Sequence, residues 1–245
     1  MVGIHGDNRV KILAVELYKY KDWTESLGLD REWIIQNEQH SLAYKINTLS
    51  AELGAFLLPL RYDFFIILVD GIRNSHIKFI FNEIKRLSPV RPRACVGYGR
   101  TFIEAQQNAA ECIKNTEPEN IGIGEYDNEQ IVSCHFDIDN FTKLSTDISF
   151  YKAFIDINKL YSILSEKIYE LGGISQYLGG DNILAFTDKN NVKNILNIVE
   201  DMKDIKVGIG IGSNARISIK NSTEALEKIR ELRNCKWRIV PKYSI

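Results

Sequence analysis

Short runs of Ile, Val, Leu and Phe punctuate the chain. Between them lie longer stretches in which apolar residues recur at intervals of three and four. Runs of the first kind read as buried strands and stretches of the second kind as amphipathic helices. In the first half this predicts strands near 11–18, 55–61, 64–70 and 92–98, with helices near 31–53, 76–87 and 102–114. In the second half it predicts strands near 130–136, 174–178, 182–187 and 206–211, with helices near 149–171, 191–202 and 216–232. The helix over 149–171 shows the spacing plainly, with Ile157, Leu160, Tyr161, Leu164 and Ile168 on one side.

The two halves repeat one another. Leu58 to Asp63 followed by Phe64 to Val69 is an apolar strand, a turn carrying Asp and a second apolar strand; Ile174 to Asp181 followed by Asn182 to Phe186 is the same. Ala94 to Gly99 matches Val207 to Gly212, and a helical pattern follows each. Upstream, Ile12 to Tyr18 parallels Ile131 to Phe136. Each half thus reads as a βαββαβ unit, the ferredoxin-like core, in an α+β chain built by tandem duplication. The expected domains are residues 11–115 and 130–240. The polar segment Asn115 to Gln130, with its Pro and Gly, is the expected linker.

Composition narrows the partners. The chain has 245 residues, 44% of them hydrophobic, which is enough for two small cores. Net charge is −1 and there is no Lys/Arg block, so neither nucleic acid nor a membrane surface is an expected partner. No apolar stretch reaches membrane-spanning length. The polar start, Met1 to Val10, lacks a signal-peptide core. Cys95, Cys112, Cys134 and Cys235 form no C-x-x-C pair and are expected to be buried, reduced thiols.

Candidate chemistry gathers in the second half. His135-Phe-Asp137-Ile-Asp139-Asn-Phe ends the first strand, and Gly179-Gly180-Asp181-Asn182 forms the hairpin between the next two. In a βαββαβ core the first and third strands are adjacent, so Asp137 and Asp181 converge. Two converging carboxylates repel until a hard divalent cation sits between them. Mg²⁺, held by one or two carboxylates plus substrate phosphates, suits the pair. Two glycines ahead of Asp181 permit a tight turn and close approach of a ligand. The free amides after Asp137 are suited to cradling phosphates. Asp139 shares that side only if the strand continues past Asp137. Read alone, an Asp in a glycine turn is ordinary turn chemistry. The run Gly208 to Gly212 does not fit the G-x-G-x-x-G dinucleotide fingerprint; close packing or approach of a nucleotide explains it.

Phe136-Asp-Ile-Asp-Asn-Phe with Gly179-Gly-Asp181 resembles the palm of GGDEF and class III nucleotidyl cyclases, although Asn182 and Ile183 stand where GGDEF cyclases have Glu and Phe. Over residues 11 to 232 the chain more closely resembles the archaeal GTP cyclohydrolase III family. The shared features are Trp23-Thr24, Arg61-Tyr-Asp63, His135 to Asn140, Gly179 to Asn182, the glycine strand and the Leu226 to Arg230 helix. The resemblance implies Mg²⁺-dependent hydrolysis of GTP to a formylaminopyrimidine nucleoside monophosphate and two phosphates, feeding riboflavin and deazaflavin synthesis, by a cytoplasmic homo-oligomer. It implies Asp137 and Asp181 as metal ligands, with Ile138 as a further metal contact. It places Ile138, Asp139, Asn140, Phe141, Gly179, Gly180, Asn182 and Asp63 around the nucleotide and leaves His135 as the candidate base. A cyclase or polymerase on the same palm, or a GTP sensor without chemistry, would use the same carboxylates. The first half departs from the pattern: Tyr18 and Lys19 stand where its first carboxylate is expected, and Phe64 follows Asp63 in place of Asn. Its metal site is therefore expected to be degenerate.

Overall fold

The computed structural model describes residues 10–124, 130–139, 146–147, 149–202, 204–232 and 235–241. The chain divides between Glu129 and Gln130 into two compact units, with Thr101–Ile103 grouped in the second. Unit 1 runs β1 (Val10–Leu17), α1 (Tyr20–Ser26), α2 (Arg31–Glu52), β2 (Phe56–Leu58), β3 (Phe64–Leu68), α3 (Asn74–Leu87), β4 (Pro92–Gly99), α4 (Phe102–Lys114) and β5 (Ile121–Gly122). Unit 2 runs β6 (Ile131–Ile138), α5 (Phe150–Glu170), β7 (Ile174–Gly179), β8 (Asn182–Thr187), α6 (Val192–Asp201), β9 (Ile205–Gly212), α7 (Ala215–Leu232) and β10 (Trp237–Val240). The sheets have matching orders, β2-β3-β1-β4-β5 and β10-β9-β6-β8-β7. In each, the first strand is central and antiparallel to both neighbours. The expected ferredoxin-like cores are present.

Both faces of each sheet are covered, for different reasons. On one face of unit 1, Leu13, Val15, Phe65 and Ile67 pack with Leu42 and Ile46 of α2 and with Ile77, Ile80, Phe81 and Ile84 of α3. The last four recur at helical spacing, and burying each contributes about 1.5–3 kcal/mol. In unit 2, Val192, Ile195, Leu196 and Val199 of α6 and Ile157, Leu164 and Ile168 of α5 do the same against β6, β8 and β9. The other face is closed by contact of backbone with backbone. A Cβ on Gly210 would lie 2.0 Å from Ser218 O of α7, and one on Gly208 would lie 2.1 Å from Ser222 O. In unit 1 a Cβ on Gly97 would lie 2.0 Å from Ala105 O of α4. The glycine runs exist so that a helix can lie directly on the sheet.

Several expectations need correction. Val10 pairs with Gly99 as Ile131 pairs with Gly212. Counting along the strands, Glu16, opposite Phe64 and Arg93, occupies the place of Asp137, opposite Asn182 and Lys206. The first-half carboxylate is thus Glu16, and Tyr18 and Lys19 lie past the strand end. The supposed linker contains β5, which pairs in parallel with β4 through Ala94 and Ile121. Cys95 and Cys112 form a disulfide that ties β4 to α4, so they are not reduced thiols. Cys134 is a buried thiol, pushed up to about 12 by desolvation, and Cys235 is half-buried. No helix among the described residues is long and apolar enough to cross a membrane.

Candidate functional site

β6 carries His135, Asp137 and Ile138 up the middle of the second sheet, and the β7–β8 hairpin brings Asp181 beside its end. Asp137 lies directly opposite Asn182, so Asp181 is one residue beyond that pairing. The ladder is broken by a bulge between Tyr177 and Gly179, where Gly179 pairs with Asn182. Gly179 has φ +102° and Gly180 has φ +60°, conformations that side chains resist. Among the described residues, chain neighbours aside, no atom lies within 4 Å of a Cβ built on Gly179, so they leave the bend open.

A chain of hydrogen bonds fixes the hairpin carboxylate. Asn182 Nδ2 donates to Asp181 Oδ1 at 2.7 Å, which orients the amide because a carboxylate only accepts. Asn182 Oδ1 therefore faces His135 Nε2 at 2.9 Å and accepts its proton. His135 Nδ1 is then free to accept from the Thr223 hydroxyl of α7, at 3.4 Å. Burial holds the His135 pKa below its ordinary value, opposed by the Asn182 hydrogen bond and the charges of Asp137 and Asp181. Both ring nitrogens are engaged. This arrangement positions Asn182 and Asp181 and offers no free base.

Fixed cations surround the carboxylates. Arg230 of α7 donates from Nη2 to Asp137 Oδ1 at 2.5 Å; Asp137 is 7% exposed. That hydrogen bond raises the Arg230 pKa against the cost of burial, and the charges of both Asp137 and Asp181 add to it. Both carboxylates thus act on Arg230 and on His135, which places them in one cluster. Lys206, opposite Asp137 on β9, pairs with Asp139, whose N–H donates to Asp204 O at 2.9 Å. Ile138 packs against the core and offers a ligand only its backbone. Tyr177 Oη donates to Gly180 O at 3.0 Å; burial and the nearby Asp181 charge raise its pKa. Asn140 and Phe141 lie outside the described residues. Asp63 belongs to unit 1, where it accepts from Arg61 at 2.8 Å.

Arg230, Lys206 and Thr223 were not singled out from sequence. Arg230 stood within the Leu226 to Arg230 run. The signal that could have found it is the glycine strand, because a helix pressed against Gly208 to Gly212 aims its last turn at the end of β6. Among the described residues no group of three His, Cys, Asp or Glu side chains gathers as a metal site. Two carboxylates in one cluster beside the Gly179–Gly180 bend are the donor type suited to a magnesium ion that takes its remaining ligands from phosphate and water.

Strand order, the central first strand and the hairpin at its end define the class: a tandem of palm-type units on ferredoxin-like cores. The family model for GTP cyclohydrolase III matches residues 12–242, and the chain belongs to that family. GTP cyclohydrolase III of Saccharolobus islandicus (strain Y.G.57.14) is 43% identical over 234 residues, covering 96% of this chain and all of that protein. The Saccharolobus solfataricus protein of the same description is 43% identical over 230 residues, covering 94% and 99%. Among solved structures, the active GGEEF domain of a diguanylate cyclase from Vibrio cholerae covers 47% of this chain and 85% of its own, with 13% identity and a TM-score of 0.41.

Proposed function

We propose that unit 2 carries out the reaction for which the family is named. One water opens the imidazole ring of GTP at C8, and two more cleave the phosphoanhydrides. The products are 2-amino-5-formylamino-6-(5-phosphoribosylamino)pyrimidin-4(3H)-one and two phosphates. Such a product suits the precursor supply of riboflavin and deazaflavin. The observation that carries this reading is the joint placement of Asp137 and Asp181 beside an open, glycine-lined bend, with Arg230 and Lys206 as neighbouring cations.

In this reading Asp137 and Asp181 hold Mg²⁺, with the Ile138 carbonyl as a third donor. Mg²⁺ supplies Lewis-acid polarisation of the phosphates and a more acidic water. Gly179 and Gly180 admit the polyphosphate to the backbone, and Asp139, Asn140 and Phe141 flank it. Arg230, which holds Asp137, would supply a positive charge to the phosphates. His135 acts through Asn182 as a positioning residue, holding the Asp181 carboxylate in one orientation. The homo-oligomeric state belongs to the same proposal.

The test incubates the protein with GTP and Mg²⁺ and follows phosphate release and the nucleotide product by mass spectrometry, beside Asp181→Ala. A formylaminopyrimidine monophosphate with two phosphates per GTP, lost in the variant, supports the reading. Pyrophosphate with a cyclic or linked nucleotide sinks it in favour of a cyclase or polymerase. Unchanged GTP leaves a binding protein.

A further inference from the structure

Unit 1 keeps a cavity at the place where unit 2 has its carboxylate cluster. It measures about 440 Å³, and Arg61, Phe64, Arg93, Ala110, Ile113 and Lys114 are among its walls. That volume falls in the range of small-molecule sites. Strand pairing puts Phe64 where unit 2 has Asn182, and Ala14, also in the wall, where unit 2 has His135. Packing of α4 on Gly97 matches packing of α7 on Gly210, and this puts Ala110 where unit 2 has Thr223. The hydrogen-bonding set of unit 2 is thus replaced by an apolar surface.

The hairpin has changed in the complementary sense. Tyr62 at φ +64° keeps the bend that Gly180 makes at φ +60°. Arg61 replaces Gly179, so a long cationic side chain stands where the second hairpin has none. Arg61 is 71% exposed, pairs with Asp63 at 2.8 Å and lies 5.6 Å from the Phe64 ring centroid. Glu16, the counterpart of Asp137, is held by Arg93 at 2.7 Å with both side chains 18% exposed. The walls carry Arg61, Arg93 and Lys114 against the single carboxylate of Glu16. A cavity with an apolar wall, a planar guanidinium beside an aromatic ring and an excess of cations suits a flat ring bearing phosphate.

We propose that this cavity is a second nucleotide site, which takes a purine nucleoside phosphate without a metal ion. The ring lies against Phe64, Ala110 and Ile113, and Arg61 and Lys114 meet the phosphates. With Glu16 bound to Arg93 the site does no hydrolysis; its cations do the work that Mg²⁺ does in unit 2. Only the choice of a guanine nucleotide rests on the proposed function.

The experiment is equilibrium binding of a β,γ-methylene GTP analogue to the full chain, once in Mg²⁺ and once in EDTA. The expected stoichiometry is two per chain in Mg²⁺ and one in EDTA. Arg61→Ala and, separately, Lys114→Ala should each weaken the EDTA-resistant binding by tenfold or more while the Mg²⁺-dependent binding stays. Asp181→Ala should do the reverse. Absence of EDTA-resistant binding overturns the second site, as does EDTA-resistant binding indifferent to both substitutions. Loss of only the Mg²⁺-dependent event from the unmodified protein overturns the unit 2 reading and leaves this one standing. Lys114, exposed and paired with Glu111 in the same helix, keeps the test sound if Arg61→Ala fails to fold.

Discussion

Replacing Gly210 by Ala adds one methyl group at the tightest point in unit 2. The new Cβ would lie 2.0 Å from Ser218 O, 2.3 Å from Ser222 N and 2.9 Å from Asn221 C, all backbone atoms of α7. No side chain there can turn aside, so α7 must lift by about 1 Å to reach even a crowded van der Waals contact. Lifting it strains the Ser218 Oγ bond to Gly210 O, at 3.1 Å, and the Asn221 Nδ2 bond to Ile211 O, at 2.7 Å. Overpacking of this kind costs about 3 kcal/mol or more. For a chain of this size that lowers Tm by roughly 6–12 °C. Gly28→Ala is the control: φ is +81° but among the described residues no atom lies within 4 Å of the new Cβ, so only backbone strain is added, about 1 kcal/mol. Thermal and urea denaturation followed by circular dichroism would compare the two. A loss at Gly210 no larger than that at Gly28 would refute the claim that α7 rests on the strand backbone. Because α7 also carries Thr223 and Arg230, the Gly210 variant should lose GTP turnover in the fraction that remains folded.

Asn182→Ala cuts the link between His135 and Asp181; turnover should fall by about 10–100-fold, with a smaller change in KM for GTP, as steady-state kinetics would show. The Cys95–Cys112 disulfide spans 17 positions, and its loss should cost about 3 kcal/mol. Reductant should therefore lower the Tm of the native protein and leave Cys95→Ser/Cys112→Ser unchanged. At pH 8 a thiol pushed up to about 12 is only roughly one part in ten thousand ionised, so Cys134 should resist alkylation in the folded chain while half-exposed Cys235 reacts; peptide mapping would read the difference.

Much of the architecture was legible because the chain writes each element twice, once in each half. The helices at 31–53 and 149–171 and the hairpins around Asp63 and Asp181 declare themselves by period and turn chemistry. The register of β1 was not legible. Val10 to Leu17 is apolar nearly throughout because both faces of the sheet are covered, so no alternation marks which residue faces which side. Matching Ile12 with Ile131 was therefore as natural as matching Val10 with it, and Glu16 was passed over for Tyr18 and Lys19. The convergence of β6 with the second hairpin follows from topology. The hydrogen-bond chain through Asn182 and the Arg230 contact depend on side-chain reach, which spacing does not encode. The disulfide joins a strand to a helix, and its two cysteines carry no spacing that announces a partner. The short β5 and β10 and the helix α1 are set by packing on longer neighbours, and their own sequences are too brief to predict them.

The central position of the first strand in each sheet has a consequence during synthesis. Val10 leaves the ribosome long before its ladder partner Gly99, and Leu68, the partner of Ile12, also follows well behind. At translation speeds of about 5–20 residues per second, β1 waits roughly 5–20 seconds for the strand that closes its second edge. Throughout that interval an apolar strand stands with at least one open edge, and the same wait recurs for β6. Each nascent unit therefore keeps an edge open to capture by chaperones, or by another growing chain, until its fourth strand emerges.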